Sequence, residues 1–236
     1  MKCAIMQPTY LPWLGYFDLI RNVDKFVIYD HVQFEKQSWQ QRNRIRNKEG
    51  ELMLTMAVKH EKGLERRVKD VKIDYSRSIP AKHLNSIKHS YARSKNFSDI
   101  FPELENIYQK NTEFLLDLNI ELINLGMKYL SISKDFIFSS EMDVQGQKVE
   151  GIIDVCKKLG ADKYLSPVGS KLYIDENNIF PEHNIELSYQ DFTHPVYNQV
   201  NFKDFISHLS FIDYLFNVDL DEVKKFGNLK PENHHV

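Results

Sequence analysis

A rigid loop close to the N-terminus combines an amide, several aromatic rings and a glycine, which are side chains suited to holding a small ligand. It reads QPTYLPWLGYF over residues 7–17, and its two prolines restrict the backbone. The glycine would let a ligand or backbone approach closely. The candidate binding residues are Gln7, Tyr10, Trp13, Gly15 and Tyr16. Filling the core is the favoured alternative for Trp13, whereas Gln7, Tyr10 and Tyr16 are expected to face a pocket.

A second segment, residues 29–48, is rich in hydrogen-bond donors. Arg42, Arg44 and Arg46 alternate, so in a strand they share one face, where guanidinium groups suit the oxygens of a phosphate or diphosphate. A solvated basic edge strand is the alternative. Because a tryptophan and several amides are interleaved with the arginines, a nucleotide or nucleotide-sugar site is an equal candidate. The candidate binding residues are Gln33, Lys36, Trp39, Arg42, Asn43 and Arg44.

A third candidate segment, YLSPVGSKLYID at residues 164–175, leads from a predicted strand into a turn that contains proline and glycine. Such a turn could present backbone N–H groups and an ammonium group to an anion. Its glycine spacing is not that of a phosphate-binding P-loop. The candidate binding residues are Ser166, Gly169 and Lys171, together with Tyr197 from the later segment DFTHPVYNQ.

Three residues are candidates for acid–base chemistry. Asp30 ends a predicted strand and should therefore point toward a crevice. His194 precedes Pro195, which holds it extended, although a lone histidine is more often structural. Asp213 lies on the apolar stripe of a predicted helix, where a carboxylate needs a partner. That partner is either a core tyrosine or arginine, or a base such as His194 that the carboxylate orients.

Composition and charge disfavour several classes of protein. With 31 basic and 33 acidic residues the net charge is -2, which argues against a nucleic-acid binder. Cys3 and Cys156 show no metal or redox spacing and are expected to be buried, reduced thiols. No histidine spacing predicts a metal site. The sequence has neither a signal peptide nor an apolar run of about 20 residues, so we expect a soluble, cytoplasmic protein.

Strands that alternate with helices must position these candidates. Short apolar runs predict strands at residues 3–6, 25–29, 52–58, 68–73, 135–139, 163–165 and 185–189. Helical spacing predicts helices at residues 16–21, 80–94, 102–129, 149–159 and 202–216. The pattern predicts an α/β fold with a mainly parallel Rossmann-like sheet flanked by helices and a helical C-terminal part, in one domain over residues 1–236. Ligands bind such sheets at the carboxyl ends of the strands, so the loops after Met6, Tyr29 and Leu165 should surround one pocket.

The order of the motifs resembles the WbqC-like family along nearly the whole chain. The resemblance rests on QPTYLPWLGYF, on D-x-V-Q-F-x-K-x-S-W-Q-x-R-N-R-I from Asp30, on SSE at residues 139–141, on YLSPVGSKLYI, and on HPVYNQ with LSFIDYLFN. Where the family usually has Ser-Gly-x-Gly, this chain has Ser166, Pro167, Val168 and Gly169, and the proline makes the loop stiffer.

The resemblance implies a role in bacterial O-antigen or other surface-polysaccharide biosynthesis, with transfer of glycine or another amino acid. The leading hypothesis is therefore amide formation on a nucleotide-linked amino sugar. His194 or Asp30 would be the base, and Arg42, Arg44 and Lys171 would bind the anion. Whether ATP or an activated acyl donor takes part stays open, as does a homodimer. Other enzymes of the pathway are the implied partners, and a non-catalytic binding or scaffolding protein is the alternative.

A weaker similarity relates the N-terminal strand, loop and helix to the nucleotidylyltransferase and pantothenate-synthetase group. Those enzymes carry His-x-Gly-His at the start of the first helix and activate a carboxylate as an adenylate. The equivalent stretch here is Trp13, Leu14, Gly15 and Tyr16, which keeps the glycine and lacks both histidines. An adenylate-forming enzyme is therefore a third alternative, against which the missing histidines count.

Overall fold

A parallel sheet built from short apolar runs lies at the centre of the fold. The computed structural model describes residues 1–59, 66–176, 179–199 and 204–229. Its strands are β1 (Lys2–Met6), β2 (Lys25–Ile28), β3 (Arg42–Asn47), β4 (Gly50–Thr55), β5 (Phe136–Phe138), β6 (Lys163–Ser166) and β7 (Glu186–Tyr189). Five of them form one sheet in the order β5-β2-β1-β6-β7, in which all neighbours pair in parallel. β3 and β4 form a separate antiparallel hairpin.

Helices pack on both faces of the sheet. Within the described ranges the α-helices are α1 (Leu14–Arg21), α2 (Ile79–Tyr91), α3 (Phe97–Gln109), α4 (Leu115–Tyr129), α5 (Lys148–Leu159), α6 (Lys171–Asp175), α7 (Phe211–Asn217) and α8 (Leu220–Lys225). This arrangement confirms the α/β fold with a parallel sheet flanked by helices and with helices at the C-terminal end. None of these helices has the length and apolar character needed to cross a membrane.

The sheet divides the hydrophobic core into two clusters. Successive side chains of a strand point to opposite faces, and β1 follows this rule. Ala4 packs in the larger cluster with α1, α4 and α7, whereas Cys3 and Ile5 pack in the smaller one against α5. Cys3 and Cys156 are both buried, as predicted, and their free thiols lie 3.5 Å apart. Burial on both faces explains why β1 is almost continuously apolar.

The predicted single helix over residues 102–129 is wrong, because the structure has two helices there. α3 ends at Gln109, α4 begins at Leu115, and Asn111 between them has a left-handed φ of 50°. The connecting loop bonds to a distant extended segment, since the Leu115 N–H donates to the Val71 carbonyl at 2.8 Å and the Ile73 N–H to the Glu113 carbonyl at 2.9 Å. Tertiary backbone bonds therefore override the local helical pattern.

Two other predicted elements differ from the structure. Residues 68–73 begin with a 3-10 turn, Val68–Asp70, and then make only isolated bridges, so they form no strand of the sheet. The last long helix begins at Phe211, and Phe202 lies outside the described residues. The Ser210 N–H donates to the Arg44 carbonyl at 2.8 Å and the Phe211 N–H to the Pro12 carbonyl at 2.7 Å, which keeps the preceding chain extended.

Candidate functional site

A cavity of about 230 Å³ opens at the carboxyl end of β1. Its lining comes from both N-terminal candidate segments and from one residue of the C-terminal part. The lining residues are Met6, Thr9, Trp13, Tyr16, Trp39, Asn43, Arg44 and His208. The two N-terminal segments, residues 7–17 and 29–48, thus meet at a single site, at the sheet edge where open α/β sheets bind their ligands.

Direct hydrogen bonds join the two N-terminal segments. The Tyr10 N–H donates to the Trp39 carbonyl at 3.0 Å, and the side-chain amide of Asn43 donates to the Leu11 carbonyl at 2.8 Å. Gln40 Nε2 donates to Gln7 Oε1 at 2.7 Å. Because these bonds hold one segment against the other, the cavity wall between them is defined by the backbone as well as by side chains.

Trp39 forms an aromatic platform at this cavity and is 48% exposed. The guanidinium carbons of Arg44 and Arg42 lie 5.5 Å and 6.0 Å from its ring centroid, within the range of cation–π attraction. Arg44 also donates to both carboxylate oxygens of Glu51, at 3.0 and 2.9 Å. Arg42 has no ion pair within the described ranges. An exposed indole beside two guanidinium groups can stack on a flat ring and attract an anion at the same point.

Trp13 forms the opposite wall and explains the glycine that follows it. A β-carbon at Gly15 would lie 2.2 Å from the Trp13 ring. Gly15 therefore makes room for the indole and not for a ligand, contrary to expectation. The Trp13 ring stacks on His208 with 4.9 Å between centroids and meets the edge of Phe192 at 5.5 Å. The indole both packs against neighbours and lines the cavity.

Sequence reasoning missed three of the lining residues, Met6, Thr9 and the titratable His208. His208 falls inside the predicted helix over residues 202–216, where no special role was assigned to it. In the structure it precedes α7, has a left-handed φ of 58°, and its Nδ1 lies 2.7 Å from Ser207 Oγ. The sequence alone gives no reason to single out this histidine, because its place outside the helix is known only once the helix is seen to begin at Phe211. The left-handed backbone then directs this imidazole over Trp13.

Tyr10 does not face the cavity, contrary to expectation. It is fully buried, and its hydroxyl lies 2.7 Å from His83 Nδ1 and also contacts the Tyr108 hydroxyl. Burial raises the pKa of Tyr10 well above its ordinary value. The hydroxyl of Tyr10 forms its hydrogen bonds inside the core, so its presence does not indicate a ligand.

Asp30 is also closed off from the cavity. It is 1% exposed, and its carboxylate accepts hydrogen bonds from the Ser139 hydroxyl at 3.0 Å and from the Ser140 N–H and hydroxyl at 2.8 and 2.7 Å. These contacts join the end of β2 to the end of β5. A carboxylate held on both oxygens cannot itself reach a substrate, so the expected direct base role does not fit its surroundings.

The hydrogen-bond partners of Asp213 include core tyrosines, which is one of the two alternatives that the sequence left open for this carboxylate. The hydroxyls of Tyr91 and Tyr197 each donate to its carboxylate at 2.7 Å, and Gln199 Nε2 donates at 2.8 Å. Burial raises the pKa of Asp213. His194 instead places its Nδ1 at 2.9 Å from the Pro195 carbonyl, and burial lowers its pKa. Neither residue lines the cavity, and the carboxylate does not orient the imidazole.

The remaining candidates lie around the same sheet edge without lining the cavity. Gln33 and Lys36 are exposed, and Gln33 forms an isolated bridge with Arg67. Ser166 is buried, and a β-carbon at Gly169 would meet no protein atom within 4 Å. Lys171 lies 5.3 Å from the Tyr189 ring centroid. Only the first two of the three expected segments therefore meet at the cavity.

A second cavity, of about 240 Å³, lies behind Phe192. Two ion pairs line it: the buried pair of Asp18 and Arg21, with N and O atoms 2.6 Å apart, and the pair of Glu222 and Lys225. These charges neutralise one another, as Glu51 neutralises Arg44 at the first cavity, where Arg42 is the guanidinium without an ion pair in the described ranges. Within the described ranges no group of histidine, cysteine or acidic side chains could hold a metal ion.

Comparison with known proteins gives a family and one similar relative. The chain is 33% identical over 220 residues to the uncharacterized protein Rv1507c of Mycobacterium tuberculosis, covering 92% of this chain and 94% of that protein. No solved structure matches the chain. The sequence profile of the WbqC-like protein family matches residues 7–225, which include every residue that lines the cavity except Met6. The chain belongs to the WbqC-like protein family.

Proposed function

We propose that this protein is a cytoplasmic transferase that acts on a nucleotide-linked amino sugar in bacterial surface-polysaccharide biosynthesis. The transfer forms an amide between the amino group of the sugar and glycine or another amino acid or acyl group. The observation that carries the proposal is the exposed Trp39 indole with Arg42 and Arg44 beside it at the cavity. Aromatic rings stack on bases and sugars, and guanidinium groups bind phosphate oxygens.

The volume of the cavity supports the proposal that it holds only part of the substrate. At about 230 Å³ it is smaller than the range of about 300–1,000 Å³ typical for whole drug-sized ligands. It suits a single sugar ring, held between Trp13, Tyr16 and the side chain of Asn43. The diphosphate and base would then lie outside, along Arg42 and the exposed face of Trp39. The amino group of the sugar would face the strand ends at the Met6 side of the cavity.

Arg44→Ala is expected to weaken the binding of a nucleotide-linked amino sugar by about tenfold or more. A charge-assisted hydrogen bond to phosphate contributes about 1.5–3 kcal/mol, and about 1.4 kcal/mol corresponds to a factor of ten. Isothermal titration calorimetry at low and at high salt measures the loss, which should be largest at low salt. Glu51→Ala is the matched control, because it breaks the same ion pair and keeps the guanidinium. Equal affinity of Arg44→Ala and the wild type, with the fold intact, would argue against a phosphate site here.

A non-catalytic binding protein of the same pathway is the second candidate, and one observation favours it. None of the three residues expected to do acid–base chemistry, Asp30, His194 and Asp213, lines the cavity. Incubation of the protein with nucleotide-activated amino sugars, amino acids and ATP, followed by mass spectrometry, separates the two candidates. A product heavier than the sugar nucleotide by one acyl group supports the transferase. Binding without any such product supports the binding protein.

A further inference from the structure

A half-buried imidazole lies at the carboxyl ends of β2 and β5, beside the cavity but not in its wall. His31 follows Asp30, and its Nδ1 is 2.8 Å from Ser139 Oγ. The Tyr29 ring meets the imidazole edge-on, with 4.8 Å between centroids. The Tyr29 N–H donates to the carbonyl of Met6 at 2.8 Å, and Met6 lines the cavity. The imidazole and the proposed sugar site therefore belong to neighbouring strand ends.

The hydrogen bonds of the Ser139 hydroxyl determine which atoms donate. The Asp30 N–H donates to Ser139 Oγ at 3.0 Å, and the same oxygen lies 3.0 Å from Asp30 Oδ1. A carboxylate oxygen can only accept, so the single hydroxyl proton of Ser139 points to Asp30. Ser139 is then left with an acceptor site for His31. His31 Nδ1 must therefore carry a proton, and its N–H donates to Ser139 Oγ.

This chain of bonds fixes the tautomer of His31. In a neutral imidazole one ring nitrogen carries the proton and the other is an acceptor. With the proton held on Nδ1 by Ser139, the Nε2 atom keeps its lone pair. An imidazolium formed by protonation of Nε2 would be stabilised by its hydrogen bond to Ser139 and by the negative charge of the Asp30 carboxylate behind that hydroxyl. The buried Asp30, which cannot reach a substrate, thus acts through its neighbours.

Burial favours the neutral form of His31. It lowers the pKa of the imidazole; the charge of Asp30 raises that pKa, and the smaller effects of Arg67 and Lys69 lower it again. Neither Arg67 nor Lys69 forms an ion pair within the described part of the chain. The Lys69 N–H donates to the Asp30 carbonyl at 3.0 Å and Arg67 forms an isolated bridge with Gln33, so both cations belong to the segment that packs beside residues 30–33. Cations in this position suit a substrate that carries an anionic group.

We propose that His31 is the general base of this protein, held by Ser139 and Asp30, and that it acts on an anionic substrate bearing an amine or hydroxyl. In the step, an N–H or O–H bond of the substrate breaks and an Nε2–H bond forms. The electron pair stays on the substrate atom, which attacks the acyl carbon of an activated acyl donor. The bond from that carbon to the donor's leaving group breaks, and the leaving group departs with the bonding electrons and takes up the proton from Nε2. The proposal rests on the proposed function, because the amino sugar supplies the amine and the co-reactant supplies the acyl group.

The tautomer of His31 can be measured without an activity assay. Long-range proton–nitrogen NMR spectra of protein labelled with ¹⁵N in histidine report which ring nitrogen carries the proton. We expect His31 to be protonated on Nδ1 at neutral pH in the wild type and in Ser140→Ala, and to lose this preference in Ser139→Ala. The two serine variants are matched, since each removes one hydroxyl bond to Asp30 and only Ser139→Ala cuts the link to His31. A proton found on Nε2 in the wild type would overturn the proposal.

Turnover provides the second measurement. We expect His31→Gln to lower the transfer rate by about 10²–10⁴ with little change in KM, and to remove the acidic limb from the pH profile, where protonation of His31 stops the wild-type reaction. His208→Asn is the comparison, because asparagine tolerates the left-handed backbone at that position and removes the imidazole in the cavity wall. His89→Gln, on the exposed side of α2, should leave the rate unchanged.

The outcomes separate this proposal from the proposed function. If the rate survives His31→Gln, or falls only in His208→Asn, the base assignment is wrong while the transferase stands. If no sugar nucleotide in the panel is converted by the wild type, the transferase and the base assignment both fail. If Ser139→Ala lowers the rate as far as His31→Gln and Ser140→Ala does not, positioning through Ser139 is supported.

Discussion

Asp213→Asn is expected to lower the free energy of unfolding by about 3 kcal/mol. The wild-type carboxylate is fully buried and accepts from two tyrosine hydroxyls and one glutamine amide. Asparagine has a similar shape, but its NH₂ group brings donors toward these donors. A buried group left without its partner costs about 1–3 kcal/mol, and more than one group is affected here. Chemical denaturation monitored by tryptophan fluorescence measures the change.

Controls distinguish a structural carboxylate from a catalytic one. Tyr197→Phe removes one of the three bonds and should lower the free energy of unfolding by about 1 kcal/mol. Asp191→Asn, an exposed acid in the neighbouring segment, should have almost no effect. If Asp213→Asn kept wild-type stability but lost transfer activity, the assignment of Asp213 to the framework would be wrong. We expect the activity per folded molecule to stay close to that of the wild type.

A second large effect is expected from pH, through His83. Burial lowers the pKa of His83 to about 4, from an ordinary value of 6.5. As the pH falls below 6.5 the unfolded chain takes up a proton that the folded protein does not, so stability present above pH 6.5 is lost progressively toward pH 4. At about 1.4 kcal/mol for each pH unit that separates the two pKa values, the loss is about 3 kcal/mol.

Urea denaturation at pH 7 and at pH 4 tests this effect. His83→Gln removes the titrating ring, so its free energy of unfolding should fall by about 3 kcal/mol less than that of the wild type over the same interval. His89→Gln is the matched control, since it removes an exposed histidine from the same helix. An equal pH dependence of His83→Gln and the wild type would show that His83 is protonated in the folded protein.

Local sequence patterns predicted most of the sheet but not the breaks that tertiary contacts impose. β1, β2 and β6 lie within one residue of their predicted bounds, because each is a short apolar run next to polar or turn-forming residues. The break between α3 and α4 could not be predicted in this way. Its cause is a backbone bond from Leu115 to Val71, far away in sequence, while leucines at helical spacing continue across the break.

The candidate site shows a similar division. Trp39 and Arg44 could be identified as candidate site residues from the sequence, because a tryptophan among arginines is unusual. Both line the cavity in the structure. The sequence could not show which tyrosine lines the cavity, because Tyr10 forms its hydrogen bonds with an imidazole and a hydroxyl inside the core. The contact of Asp30 with Ser139 depends on β2 and β5 being neighbours in the sheet, although more than one hundred residues separate them. Composition carries no information about such a pairing.

The central place of β1 has a consequence for how the protein is made. It leaves the ribosome before the other strands of its sheet, and β2 can cover one of its edges soon afterwards. Its other edge pairs with β6, at Lys163 and Tyr164, so that edge stays unpaired while the long stretch between β2 and β6 is synthesised. An uncovered apolar edge is a template for pairing with other chains. The nascent protein therefore has a long interval in which binding by a chaperone would protect it from aggregation.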